Sequence, residues 1–194
     1  MADTASTTPG AEDDVFSFDT GFESVADRKY PLCPEGVQRV IVDKAVFSMK
    51  DNFQKTAKVP TITLWLSTLD AKYEDESTKE KRSFRLFETL KISDHKKSNM
   101  LDWFEKVCGG MTYVEATKPD GQKAKRIWLG PRSVEKTEEG EEIRYKVFDH
   151  IEYSVLIEHK VPEGGTEKKD RIAAIVACPE DKKAANKKLF TPAA

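Results

Sequence analysis

The run Thr61-Ile62-Thr63-Leu64-Trp65-Leu66-Ser67-Thr68 alternates polar and apolar residues along its whole length. Successive side chains of a β-strand point to opposite faces of a sheet, so this period of two predicts a strand with one buried face. Burial of the three aliphatic side chains turns Trp65 outward, together with Thr61, Thr63 and Ser67.

Strand-like segments lie on both sides of this run. A turn at Pro34-Glu35-Gly36 leads into a Val- and Ile-rich strand over residues 37–47, and a charged loop over 70–82 leads into a third strand over 83–92. Burial of the apolar side chains of the third strand turns four residues outward, and these are Arg85, Phe87, Thr89 and Lys91.

One helix and two further pairs of strands follow. Ser98 is a suitable N-cap, apolar residues then recur every three or four positions as far as Cys108, and Gly109 ends the pattern. Turns at 119–121 and 138–140 predict two hairpins, and residues 151–160 and 171–178 predict two final strands. We therefore expect a mainly β domain, an antiparallel β-barrel with one short α-helix.

Charge divides the chain into a body and two tails. Residues 1–27 carry seven acidic residues and no lysine or arginine; because the whole chain has a net charge of -2, residues 28–194 carry +5. We expect residues 1–30, which also contain Phe16, Phe18 and Phe22, to form a disordered acidic arm. Such an arm can cover a cationic groove of the body, recruit a basic partner or only increase solubility.

The remaining boundaries follow from this division. The folded domain is expected over residues 31–179, with the two hairpins forming an insertion at about 111–148. Residues 180–194 contain four lysines and are expected to be a disordered basic C-terminal tail.

Several functional classes are not supported by the sequence. No apolar stretch reaches the roughly 18 residues of a membrane span, and the N-terminus lacks the layout of a signal peptide, so we expect a cytoplasmic protein without a membrane partner. The three cysteines have no metal-type spacing and are expected to be buried thiols. The chain also lacks an HExxH motif, a Gly-rich phosphate loop and a nucleophile elbow. We therefore expect no enzyme activity, no metal and no cofactor.

The order of three strands, a helix and two strands is that of the oligonucleotide/oligosaccharide-binding (OB) barrel, whose second and third strands form the usual ligand face. The turn at 34–36, the segment Phe87-Glu88-Thr89-Leu90-Lys91-Ile92 and the helix with its glycine stop at 98–110 resemble phage-encoded single-stranded-DNA-binding proteins in layout. The resemblance covers roughly residues 34–110 and 151–178. It departs at the termini, since many such proteins end in an acidic tail with a terminal Phe, whereas this chain has its acidic, Phe-containing segment at the N-terminus.

This resemblance implies an OB-like five-stranded antiparallel barrel that binds single-stranded DNA in phage DNA replication or recombination, in the cytoplasm of the host cell. Replication or recombination proteins would be further partners. Single-strand binding uses exposed rings for base stacking and cations for the phosphates. The expected DNA-binding residues are Trp65, Phe87, Arg85, Lys91, Arg126, Trp128, Lys55 and Lys58.

Two alternatives remain open from the sequence. Trp65 and Phe87 can instead pack beneath the inserted hairpins as part of the core. The protein can also be an interaction module that acts through its acidic, Phe-containing arm, for example as an inhibitor of a host factor. The sequence leaves the oligomeric state and the preference between DNA and RNA undetermined.

Overall fold

The computed structural model describes residues 31–51, 55–93, 95–96, 98–117, 121–138, 140–162 and 164–192. The predicted acidic arm, residues 1–30, lies outside the described residues. The described strands and helices are β1 (Gly36–Asp51), β2 (Lys58–Glu74), β3 (Lys81–Lys91), α1 (Asn99–Cys108), β4 (Tyr113–Thr117), β5 (Lys123–Ile127), β6 (Ser133–Thr137), β7 (Gly140–Arg144), β8 (Glu152–Lys160), β9 (Lys169–Val176) and α2 (Glu180–Leu189).

The main sheet is antiparallel and centred on β1. One edge of β1 pairs with β2, which pairs with β3; the other edge pairs with β8 and, further along, with β7. β9 extends the sheet from β8, and β6 extends it from β7. The expected mainly β fold is thus confirmed. Across the described strands no ladder joins β3 to β9, so the five strands β3-β2-β1-β8-β9 are not closed into a barrel by hydrogen bonds.

A β-bulge lies in the middle of β1, between the segment that pairs with β8 and the segment that pairs with β7. The register with β2 shifts between Val42 and Lys44, which leaves Asp43 as the extra residue. Val42 still donates to the carbonyl of Ile151 at 3.0 Å. Val42 and Ala45 are three positions apart, so regular alternation would place them on opposite faces. Because the bulge changes the side-chain parity, both are buried.

The helix α1 closes one side of the core and matches its predicted ends. The Ser98 side chain accepts a hydrogen bond from the Met100 backbone N–H at 3.2 Å, and Gly109 ends the helix with a φ of 69°. The buried face of α1 places Phe104 next to Phe148 and Phe190. The Phe190 ring centroid lies 4.9 Å from that of Phe104 and 4.8 Å from that of Phe148.

The C-terminal segment differs from the prediction of a disordered tail. Residues Glu180–Leu189 form α2, which packs on α1, and the following Phe190 is only 1% exposed. The Asn186 side chain donates to the carbonyl of Val107 at 3.0 Å, which ties α2 to the end of α1. The helix α2 carries no apolar stripe, and its attachment depends on the Phe190 ring beyond its last turn. The helical periodicity of the sequence therefore did not indicate a packed helix here.

The charged segment 70–82 is also more ordered than expected. Glu74 pairs with Lys81, so β2 and β3 continue into a hairpin whose turn occupies only residues 75–80. The Asp75 side chain accepts from the backbone N–H groups of Ser77 and Thr78, at 3.0 and 3.1 Å. These hydrogen bonds stabilise the turn in place of apolar contacts.

Both described helices have ten residues, and neither has the length and apolar character that a membrane crossing requires.

Candidate nucleic-acid interface

The outward side of β1, β2 and β3, here called the ring face, carries side chains in cross-strand rows. One row consists of Phe87, Trp65 and Lys44, which are direct register partners on β3, β2 and β1. The neighbouring row contains Arg85 and Ser67. Directly opposed residues have Cβ atoms about 5 Å apart, so each row is a set of contacting side chains.

The two rings of this face are close together and unequally exposed. Phe87 is 55% exposed, whereas Trp65 is half-buried beside it with a centroid separation of 4.5 Å and an interplanar angle of 87°. The Lys44 Nζ atom lies over the Trp65 ring, 4.8 Å from its centroid. Trp65 is therefore held by a neighbour on each side, while Phe87 presents its ring to solvent. The alternative in which both rings lie beneath the hairpins does not hold for Phe87.

Cationic side chains lie near the rings on β1 and β3. Arg85 and Lys91 are exposed on β3, and Arg85 forms no ion pair with any described residue. Lys50 donates to the Thr89 hydroxyl at 3.0 Å, and Lys44 pairs with Glu142 of β7 at 3.0 Å. The ring face thus offers one unpaired guanidinium next to an aromatic pair.

An ion-pair cluster fixes the neighbouring hairpin β6–β7. Arg144 pairs with Glu135 at 2.8 Å and with Asp149 at 3.0 Å. Hydrogen bonds from Lys146 and then Arg144 lower the pKa of Glu135, whereas burial raises the pKa of Asp149. These contacts join β7 to β6 and to the segment that precedes β8, and they pair Arg144 with two carboxylates.

The other predicted DNA-binding residues lie apart from the rings. Lys55 and Lys58 are exposed where the chain enters β2, with Lys55 at a φ of 55°. Arg126 is exposed on β5, and Trp128 follows that strand, half-buried, with its backbone N–H donating to Thr112 at 2.8 Å. β4 and β5 form a separate two-stranded sheet, and within the described residues no ladder connects them to the ring face. The structure therefore groups Trp65, Phe87, Arg85 and Lys91 but does not add Arg126 and Trp128 to that group.

Two features of the ring face differ from the sequence analysis. Thr61, expected to point into solvent, is only 4% exposed, and its hydroxyl donates to the Ser48 carbonyl at 3.0 Å. Asp43 was not recognised as part of this face; it follows the buried Val42 by regular alternation, and the bulge in β1 adds the next residue, Lys44, to the same side. No sequence signal marks this bulge.

Asp43 lines a depression next to the ring pair. The depression is open to solvent, has a volume of about 460 Å³ and is lined by Asp43, Lys44, Trp65, Leu66, Ser67, Arg85 and Arg144. Ser67 donates from its hydroxyl to the Asp43 carboxylate at 2.6 Å. Among the described residues Asp43 has no cationic partner within ion-pair distance.

Glu88 follows Phe87 in β3 and precedes Thr89. Its side chain points to the opposite face of the sheet, toward the core. Its Oε2 atom accepts from the Tyr153 hydroxyl at 3.4 Å. Burial raises the pKa of Glu88 to about 7, against the opposing effect of this hydrogen bond. Glu88 thus explains the interruption of the apolar pattern as a partly buried carboxyl on the side of β3 opposite the ring face.

The cysteines and histidines do not form a second site. Cys33, Cys108 and Cys178 are free and buried, as predicted, and burial raises the pKa of Cys33 to about 11. His159 lies 2.8 Å from the Cys33 carbonyl oxygen and 3.4 Å from Asp170 Oδ1, measured from its Nε2 atom. In the part of the chain that the structure describes, no group of three or more His, Cys, Asp or Glu side chains is arranged to hold a metal ion.

No protein-family model, curated protein or solved structure matches this chain. The fold therefore defines the class: a mainly β protein with an antiparallel sheet and short helices.

Proposed function

We propose that the protein binds single-stranded DNA through the ring face, with little dependence on sequence, in phage DNA replication or recombination within the host cytoplasm. The observation that carries the proposal is the exposed ring of Phe87, which contacts Trp65 and has Arg85 and Lys91 on the same face. The phage context comes from the layout resemblance alone.

Exposed aromatic side chains on a sheet are suited to base stacking. A stacked base contributes about 1–3 kcal/mol, and every base has a π-face, so such binding tolerates different sequences. The Phe87 ring is open to solvent. The Trp65 ring is covered by Lys44 and packs against Phe87 at nearly a right angle. Phe87 is thus the primary stacking platform in this proposal and Trp65 its support.

The cations of the ring face supply the second requirement. Arg85 has no ion-pair partner among the described residues, and Lys91 is exposed at the end of the same strand. Binding to phosphates releases counterions, so affinity falls as salt rises, with a slope of about 0.7 per contact on single strands. Duplex DNA lacks accessible base faces, so it should bind through the electrostatic contribution alone, without base stacking.

The test is a fluorescence-anisotropy titration of a labelled oligo-dT with Phe87→Ala, Arg85→Ala and a control, Val134→Ala. Val134 is 61% exposed on β6 and lies outside the ring face, so it matches the exposure of Phe87. We expect Phe87→Ala to weaken binding about fivefold to 150-fold, the range that corresponds to one stacked base. Arg85→Ala should lower the salt slope by about 0.7.

Equal affinity of the wild type and Phe87→Ala would show that the ring face is not the DNA-binding site. Absence of binding to any single strand at low salt would contradict the proposed function itself. Tight binding to a host protein through residues 1–30 would then favour the interaction module.

A further inference from the structure

The depression beside Trp65 combines groups that suit a nucleobase better than a phosphate. Arg85 and the Asp43 carboxylate both line it, and each lacks an ion-pair partner among the described residues. Its volume of about 460 Å³ falls within the range of small-ligand sites, roughly 300–1,000 Å³. Lys44 and Arg144 also line the depression, but both are paired with carboxylates outside it, so Arg85 and Asp43 remain as one opposite pair of charges. This pair gives a phosphate no net attraction, whereas a base can meet an aromatic ring, a cation and an acceptor there.

Asp43 presents its carboxylate as an acceptor at the edge of this depression. Its Oδ2 atom accepts from Ser67 at 2.6 Å, and a carboxylate has about four acceptor positions, so most of its capacity remains. Hydrogen bonds to a charged acceptor are about twice as strong as those between neutral groups. The base that gains most is therefore one that offers two adjacent N–H donors.

Guanine has this pattern on its Watson–Crick edge, where the N1–H and the 2-amino group lie side by side. Adenine and cytosine each offer one amino group beside an acceptor nitrogen, and thymine has a single N–H between two carbonyl oxygens that repel a carboxylate. Unpaired bases expose these edges in single strands. Lys44 and Arg85, which also line the depression, are donors of the kind that the guanine O6 atom accepts.

We propose that this depression is a guanine-preferring subsite, in which Asp43 accepts hydrogen bonds from N1–H and the 2-amino group while the base contacts the part of the Trp65 side chain that lines the depression. This inference rests on the proposed function and adds a base preference to otherwise sequence-tolerant binding. The β1 bulge completes the subsite, since it leaves Asp43 and Lys44, which are neighbours in the sequence, on the same side beside Trp65 and Ser67.

The test compares equal-length labelled oligonucleotides in which every third thymine is replaced by guanine, hypoxanthine or adenine, with oligo-dT as the reference. Hypoxanthine lacks only the 2-amino group of guanine. We expect guanine-containing strands to bind the wild type about tenfold more tightly than oligo-dT, and hypoxanthine to lose most of this gain.

Asp43→Asn should remove the guanine preference and leave binding to oligo-dT equal or tighter, because a negative charge has been lost. Asp70→Asn is the matched control: the Asp70 side chain is 62% exposed and pairs with Arg39 outside the depression, so the preference should persist. The hypoxanthine comparison uses the wild-type protein and remains decisive if Asp43→Asn does not fold.

Equal binding of guanine and thymine strands by the wild type would overturn the subsite and leave the proposed function standing. Equal binding of guanine and hypoxanthine strands, or a guanine preference that survives in Asp43→Asn, would do the same. Failure to bind every strand would instead contradict the proposed function, and the subsite with it.

Discussion

The partly buried carboxyl of Glu88 makes the stability of the protein depend on pH. Its pKa is about 7 in the folded chain against an ordinary value of 4.5, mainly because burial disfavours the charged form. Below pH 4.5 the carboxyl is mostly protonated in both the folded and the unfolded chain, so its ionisation does not lower the unfolding free energy. Between pH 4.5 and 7 the unfolded chain ionises while the folded chain stays largely protonated, so stability falls as the pH rises, and the loss is complete above 7.

Glu88→Gln replaces the carboxyl with a neutral group of the same shape that can still accept from the Tyr153 hydroxyl. Each pKa unit corresponds to about 1.4 kcal/mol, so the full cost of ionising Glu88 is about 3 kcal/mol at alkaline pH. The unfolding free energy of the variant should therefore exceed that of the wild type by about 2–3 kcal/mol more at pH 9 than at pH 5.

Urea unfolding followed by circular dichroism at both pH values measures this difference. Glu158→Gln, an exposed position on β8, serves as the control and should keep the pH dependence of the wild type. Parallel pH profiles for the wild type and Glu88→Gln would refute the reasoning, because they would mean that Glu88 ionises as freely in the folded chain as in the unfolded one.

Three further outcomes follow from the fold. Phe190→Ala should reduce the unfolding free energy by about 3–5 kcal/mol in urea melts, since the ring is 1% exposed; a loss below 1 kcal/mol would mean that the end of α2 does not belong to the core. Gly130→Ala should lower the unfolding free energy by about 2–4 kcal/mol, because Gly130 has a φ of 80° and a Cβ would lie 2.7 Å from Val147. Gly121→Ala has open space around the new Cβ and should lower the unfolding free energy by less in the same melts. Deletion of residues 1–27 removes seven negative charges and should tighten oligo-dT binding at low salt in anisotropy titrations; lost binding would place an essential part of the site in that segment.

Local patterns in the sequence were sufficient for much of the fold. The period of two at 61–68 and the Ser98 and Gly109 signals predicted β2 and α1, because each depends on neighbouring residues alone. The two hairpins were predicted from their turns in the same way. The C-terminal helix was missed because its attachment depends on Phe190 reaching Phe104 and Phe148, which are distant in the sequence.

The candidate site was predictable only where strand parity is regular. Phe87 and Arg85 lie on a regular part of β3, and their outward direction followed from the buried residues between them. Asp43 lies outward by alternation from Val42, but Lys44 joins it on the same face only through the bulge in the β1–β2 register, which the pattern of a single strand does not show. Arg126 and Trp128 were assigned to the face by alternation within their own hairpin, which gives no information about where that hairpin lies.

The most direct test of DNA binding by the ring face is a tryptophan-fluorescence titration with unlabelled oligo-dT and a matched duplex, at low and at moderate salt. Trp128→Phe is used as the background, so that the signal comes from Trp65 and the fully buried Trp103. We expect the single strand to quench the emission more strongly than the duplex, with weaker binding at moderate salt and with the response reduced in Phe87→Ala. An unchanged spectrum with both nucleic acids at low salt would contradict the account.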